Sequence, residues 1–151
     1  MMASLEEHLS RAVAELQALE RAISDLQSRV TALRVLMNEY DGAISLLDEL
    51  KKRGGLTEVL VPIGGGNFIH AEVKRLDIVE VSIGSGIVLR KSLEDGRKIM
   101  EKRKESLSRA IELYENRIVQ YAQRADELRR VVNALAARLR EKQAKSQESK
   151  S

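Results

Sequence analysis

The sequence has no cysteine and no tryptophan, one proline, one phenylalanine and three tyrosines among its 151 residues. Without cysteine there is no disulfide framework, no thiolate nucleophile and no cysteine-ligated zinc, a usage that fits a reducing compartment. So few aromatics leave a large globular core without its usual anchors. Neither charge sign dominates: 26 basic and 23 acidic residues are interspersed and give a net charge of +3. A nucleic-acid binder concentrates basic residues in a patch or stripe, and a single-strand binder adds stacking aromatics; both features are missing here. No apolar run is long enough to span a bilayer, and the N-terminal residues lack the apolar centre of a signal peptide. These absences predict a cytoplasmic chain with no membrane and no nucleic-acid partner.

What remains is rich in Ala, Leu, Glu, Lys and Arg, with 32% of residues charged, the composition of long helices and coiled coils. From the N-terminal side, alternate steps of four and three reach Leu5, Leu9, Ala12, Leu16, Leu19, Ile23, Leu26, Val30, Leu33, Met37, Tyr40, Ile44 and Leu47. A 3.5-residue apolar period sustained for about six heptads is the coiled-coil template, and such a helix extends roughly 65–70 Å. Ser4 with Glu7 makes a capping-box pattern at its start. Lys51, Lys52 and Arg53 suit the negative pole of its last turn, and Gly54–Gly55 allows the chain to turn out of it.

A second seam of the same spacing carries Leu107, Ile111, Tyr114, Ile118, Tyr121, Ala125, Leu128, Val132, Leu135 and Leu139. Extended backward it meets Lys104, Met100, Arg97 and Leu93, so two cations occupy core-type positions. Ser92 is a candidate N-cap, followed by Glu94 and Asp95 at the positive end of the helix dipole. Gly96 in the first turn costs about 1 kcal/mol relative to Ala. If Leu47 lies beside Met100, with residue numbers summing to 147, Leu5 falls beside Lys142 and both seams finish together. One intramolecular antiparallel pair is therefore expected.

Between the seams the period changes to two. Val59, Val61 and Ile63 alternate in a first strand and Ile69, Ala71 and Val73 in a second, across Gly64–Gly66. Val79, Val81 and Ile83 mark a third strand and Ile87 and Leu89 a fourth, across Gly84-Ser85-Gly86. Short glycine-bearing connections predict two β-hairpins. Pro62 cannot donate to a ladder and belongs on an edge or at an irregularity. Four short strands with one apolar face need a cover, which neighbouring subunits can supply. The expected organisation is a helix over 4–53, two oligomerising hairpins over 54–91, a helix over 92–143 and a disordered tail over 144–151.

Catalytic and cofactor chemistry finds little support. Gly64-Gly65-Gly66-Asn67-Phe68 has neither the lysine nor the following helix of a phosphate-binding loop. His8 and His70 are distant in sequence, with no ligand-spaced partners, so no metal is expected. Glu6–Glu7 and Glu94–Asp95 are explained by helix starts, and Arg129, Arg130, Arg138 and Arg140 by a solvated helix face. No nucleophile, base and oxyanion site assemble. The expectation is a non-enzymatic binding protein without cofactor, or alternatively a coiled-coil spacer that oligomerises through its β region.

The order helix, two hairpins, helix resembles the α-class subunit of prefoldin, over essentially the whole span from Leu5 to Leu139. The most specific stretches run from Val61 to Val73, a proline-containing hairpin, and from Val79 to Glu94, a glycine-turn hairpin leading directly into the second helix. The resemblance implies two hairpins in the α class where the β class has one. It also implies a hexamer of two α with four β subunits, whose hairpins join in a double β-barrel platform. Such a complex holds unfolded proteins without ATP and passes them to a group II chaperonin. The residues expected to oligomerise are Val59, Val61, Ile63, Ile69, Val73, Val79, Val81, Ile83, Ile87 and Leu89. Those expected to meet clients are Leu5, Leu9, Val13, Val131, Leu135 and Leu139, at the ends of the two helices where the termini meet.

Overall fold

A computed structural model of the chain describes Met2–Lys150, with side chains from Ser4 onward. Two long helices, α1 (Met2–Arg53) and α2 (Leu93–Glu148), enclose in sequence the strands β1 (Thr57–Gly64), β2 (Asn67–Val73), β3 (Ile78–Gly84) and β4 (Ile87–Ser92). The chain divides into two compact units. One, the terminal unit, is built from Met1–Ala32 and Ala110–Ser151; the other, the hairpin unit, is Leu33–Arg109. Each contains a segment of both helices.

The heptad spacing explains the helix burial. Every seam position from Leu5 to Leu47 and from Leu93 to Leu139 is buried or half-buried, while most positions between them are exposed. Burial is deepest in the terminal unit, where Ala125 is 0% and Leu128 4% exposed. Among the described residues no large side chain is completely enclosed. A two-helix seam has only one side to cover, so its core stays thin.

Two expected helix limits differ from those observed. α1 begins at Met2, ahead of the expected Ser4 cap, because Met and Ala are good helix formers and nothing there breaks the helix. Ser4 instead lies inside the helix, its carbonyl 2.6 Å from His8 Nδ1. α2 continues through Glu148, across most of the segment expected to be a disordered tail. Ala144, Lys145, Gln147 and Glu148 have high helix propensity, and neither Gly nor Pro interrupts them. The seam register continues too, with Lys142 and Ser146 half-buried.

The other two ends follow expectation. Ser92 Oγ accepts a hydrogen bond from the Asp95 N–H at 3.1 Å, which makes Ser92 the N-cap of α2. At the end of α1 the Gly54 N–H bonds the Leu50 carbonyl at 3.2 Å with φ of 66°.

The hairpin unit holds two separate two-stranded antiparallel sheets, β1-β2 and β3-β4. In the first, Val59 faces Ala71 and Val61 faces Ile69; in the second, Val81 faces Leu89. Both ladders shift register next to the turn, one between Pro62 and Gly64 and one between Ser82 and Gly84. Every strand is therefore an edge, which accommodates Pro62. The turn residues Gly65 and Gly66 both have positive φ, as do Ser85 and Gly86, which suits the twist of a two-residue hairpin.

Gly96 has a packing reason. It is buried in the first turn of α2, and a Cβ there would collide with Val79 Cγ2 and lie 3.2 Å from Val81 Cγ2. The backbone of α2 thus approaches β3 closely enough that only glycine fits. A further hydrogen bond from the Leu93 N–H to the Asp77 carbonyl, at 3.1 Å, joins the helix start to the chain entering β3.

Candidate functional site

The interhelical ion pairs define how the helices meet. In the terminal unit Arg124 grips Glu15 with two nitrogens, at 3.1 and 3.4 Å, and Arg129 reaches Glu20 at 3.3 Å. In heptad terms Glu15 and Arg124 both immediately precede an a position (g), whereas Glu20 and Arg129 both follow a d position (e). Pairing g with g and e with e occurs when two helices run in opposite directions; a parallel pair matches g with e. The residue numbers of these pairs sum to 139 and 149, centred on 144.

The hairpin unit gives the same register from different groups. Asp48 accepts two hydrogen bonds from Arg97, at 2.7 and 3.1 Å, and Asp41 lies 2.6 Å from Lys104 Nζ. Both sums are 145, and Arg103 with Tyr40, at 3.4 Å, gives 143. The expected sum of 147 is therefore corrected to 144. The earlier value set d beside d, whereas opposed helices layer a against d, which puts Leu47 level with Arg97 and Leu5 level with Leu139.

The two core-position cations thus have specific partners one heptad apart. The Arg97 hydrogen bond, and then its charge, hold the Asp48 carboxyl below its ordinary value, outweighing the opposing effect of desolvation. The Asp41 hydrogen bond and charge raise Lys104 above its ordinary value. All four side chains remain about one-third to one-half exposed, so the ions keep much of their hydration.

The residues expected to oligomerise divide into two groups. Val81 is 4% exposed, and Val59, Val73 and Val79 are half-buried; Val81 packs inside its own chain, against the first turn of α2, and is not offered to a partner. Val61, Ile63, Ile69, Ile83, Ile87 and Leu89, all nearer the turns, are exposed. Three further residues belong with them. Leu60 and Phe68 lie on the opposite face of the first hairpin, and Val88 on the opposite face of the second, all more than half exposed. Their signal in the sequence is large apolar residues at alternate positions where a one-sided strand would be polar.

Near the strand starts the same opposite face is polar. His70 Nδ1 lies 2.7 Å from Glu58 Oε1, and Arg90 pairs with Glu80 at 2.9 Å. Each hairpin is accordingly polar or covered at its base; toward its turn the first is apolar on both faces, and the second is apolar on one face with Val88 beside Ser82 on the other. Exposed apolar side chains on sheets with open edges mark an interaction surface.

All six residues expected to meet clients fall in the terminal unit. Leu5, Leu9, Val13, Leu135 and Leu139 are half-buried and Val131 is 45% exposed, in contrast to the near-complete burial of Ala125 and Leu128. Among the described residues no three His, Asp or Glu side chains are placed to share a metal ion. No helix among them is long and apolar enough to cross a membrane.

With this geometry established, comparison with known proteins is decisive. The prefoldin subunit family model matches residues 19–145. The chain belongs to the prefoldin subunit family. Its relatives include the prefoldin subunit alpha of Methanosarcina mazei, 28% identical over 81% of this chain and 88% of that protein. The prefoldin subunit alpha of Thermofilum pendens is 32% identical over 74% of this chain and 84% of that one. Among solved structures, a filamentous PFD from Methanocaldococcus jannaschii shares the fold, with a TM-score of 0.65, 23% identity and coverage of 76% of this chain and 95% of that chain. Two long helices with two β-hairpins between them are thus the fold of a prefoldin subunit of the alpha type, a family of chaperone subunits. The β-barrel platform belongs to the assembly and not to the single chain.

Proposed function

We propose that the chain is the α subunit of a cytoplasmic prefoldin hexamer, two α with four β subunits, which captures unfolded proteins without ATP and delivers them to a group II chaperonin. The observation that carries this reading is the family match over 19–145, together with hairpins that expose large apolar side chains near their turns. In the proposed complex those hairpins join in the barrel platform. The chemistry is binding alone, with no catalytic residue and no cofactor.

Client contact is assigned to Leu5, Leu9, Val13, Val131, Leu135 and Leu139. Their incomplete burial supports the assignment: little seam energy opposes a small opening of the last heptads. Each apolar side chain covered by a client contributes roughly 1.5–3 kcal/mol, and weak contacts from several subunits add through high effective concentration.

Two measurements test the reading. Mixing the chain with a β-class subunit and weighing the product by native mass spectrometry is expected to give a defined hexamer. A homodimer indifferent to the partner would favour a coiled-coil spacer instead. The assembled complex is expected to suppress aggregation of a denatured protein without ATP, and to lose that activity when both helix ends are shortened. Full activity after shortening would refute the assignment of the six residues.

A further inference from the structure

We propose that the charges flanking and interrupting the seam are a pairing code, which commits each α1 to an antiparallel α2 and rejects the same helix of a second copy. The code can be read by placing the sequence in the competing arrangement. Two copies of α1 side by side in parallel register bring each g residue against the e residue five positions on. Glu15 would then face Glu20, and Arg29 would face Arg34. The remaining g–e pairs of that arrangement contain no opposite charges. For α2 the same arrangement sets Arg124 against Arg129 and again forms no attractive pair. It also stacks Arg97 on Arg97 and Lys104 on Lys104 in the core.

Within one chain these charges meet their complements. Glu15 meets Arg124 and Glu20 meets Arg129 in the terminal unit; Asp48 meets Arg97 and Asp41 meets Lys104 in the hairpin unit. A buried or half-buried cation at an a position is a poor source of stability but an effective source of register and partner choice. Here two such cations are followed, in the other unit, by the g–g and e–e pairs characteristic of opposed helices. Specificity comes as much from repulsion in the wrong pair as from attraction in the right one. An assembly that gathers several such helices at high local concentration gives this discrimination its purpose, though the code acts on the helices whether or not the chain captures clients.

Charge exchange in the full-length chain is the test. The variants E15R/E20R and R124E/R129E each place like charges together within the chain, and thermal melting of the helical circular-dichroism signal is expected several degrees below wild type for both. Combining all four substitutions restores opposite charges in both interhelical pairs, and its midpoint is expected to rise above those of both twofold variants, stopping short of wild type because Arg124 and Arg129 also pair with Glu127 and Asp126 within α2. In a second arm, the absence of cysteine allows a unique label at an introduced N133C. Energy transfer between donor- and acceptor-labelled copies is expected to rise several-fold over wild type when R97L and K104L remove the core cations. A fourfold variant that melts with the twofold ones, or energy transfer unchanged by R97L/K104L, overturns the proposal. Charge exchange behaving as expected alongside an absence of client binding would sink the chaperone reading alone.

Discussion

Replacing Gly96 with alanine sets two effects of known size against each other. In an exposed helix the substitution stabilises by about 1 kcal/mol, because glycine has more backbone freedom to lose. In this chain the new Cβ collides with Val79 Cγ2 and crowds Val81 Cγ2. Valine has one preferred rotamer in most settings, so Val79 cannot turn away freely, and overpacking of this kind costs about 1–3 kcal/mol. The steric term wins, and G96A is expected to destabilise by up to about 2 kcal/mol, or roughly 4–8 °C in melting midpoint for a chain of this size. The decisive comparison is a double-mutant cycle. V79A removes the colliding methyl, so G96A made in that background is expected to recover most of its helix-propensity gain and to raise the midpoint. The two effects of G96A should therefore have opposite signs in the two backgrounds. Equal stabilisation by G96A with and without Val79 would refute the close approach of α2 to β3.

Three other outcomes are expected. S92A removes the acceptor for the Asp95 N–H and should cost about 1 kcal/mol of α2 stability, measured by denaturant unfolding. The Asp48 carboxyl is held below its ordinary value of 3.8 by Arg97, so its contribution is fully present above that pH and is lost as pH falls through the lower folded value. An acid titration of the helical signal should lose a component below about pH 4, and R97L should remove that component. L60S with F68S should abolish assembly in sedimentation velocity without lowering the helix content of the chain, because both side chains are more than half exposed.

The helices were legible because a 3.5-residue period has one structural meaning, and the alternation around two glycine turns was nearly as clear. The identity of the α2 cap could be read from Ser92 because its carboxylate neighbours follow immediately. What the sequence hid is whatever depends on register. Arg97 and Lys104 stand out as interruptions of an apolar seam, but their partners are 49 and 63 positions away. Only the layering of a against d makes Asp48 and Asp41 their neighbours. Alternation likewise marks one apolar face on each strand, yet it cannot distinguish Val81, sealed by Gly96, from Ile83, left open. It also passes over Leu60, Phe68 and Val88, whose side chains serve a face that a one-sided sheet would leave to water. The helix ends at Met2 and Glu148 escaped because propensity, without a breaker, carries a helix past the residues that would have capped it.

The thinness of the seam has a consequence for supply. With no large side chain fully enclosed among the described residues, and with two hairpins open along every edge, the chain holds back little of its folding energy for itself. A copy made in excess of its partners then keeps apolar strands exposed to water. A partner that covers those strands adds its binding energy to the stability of the folded chain, so the lone chain is expected to be the more readily cleaved by a protease. The amount of this protein that persists should follow the amount of its partner rather than its own rate of production.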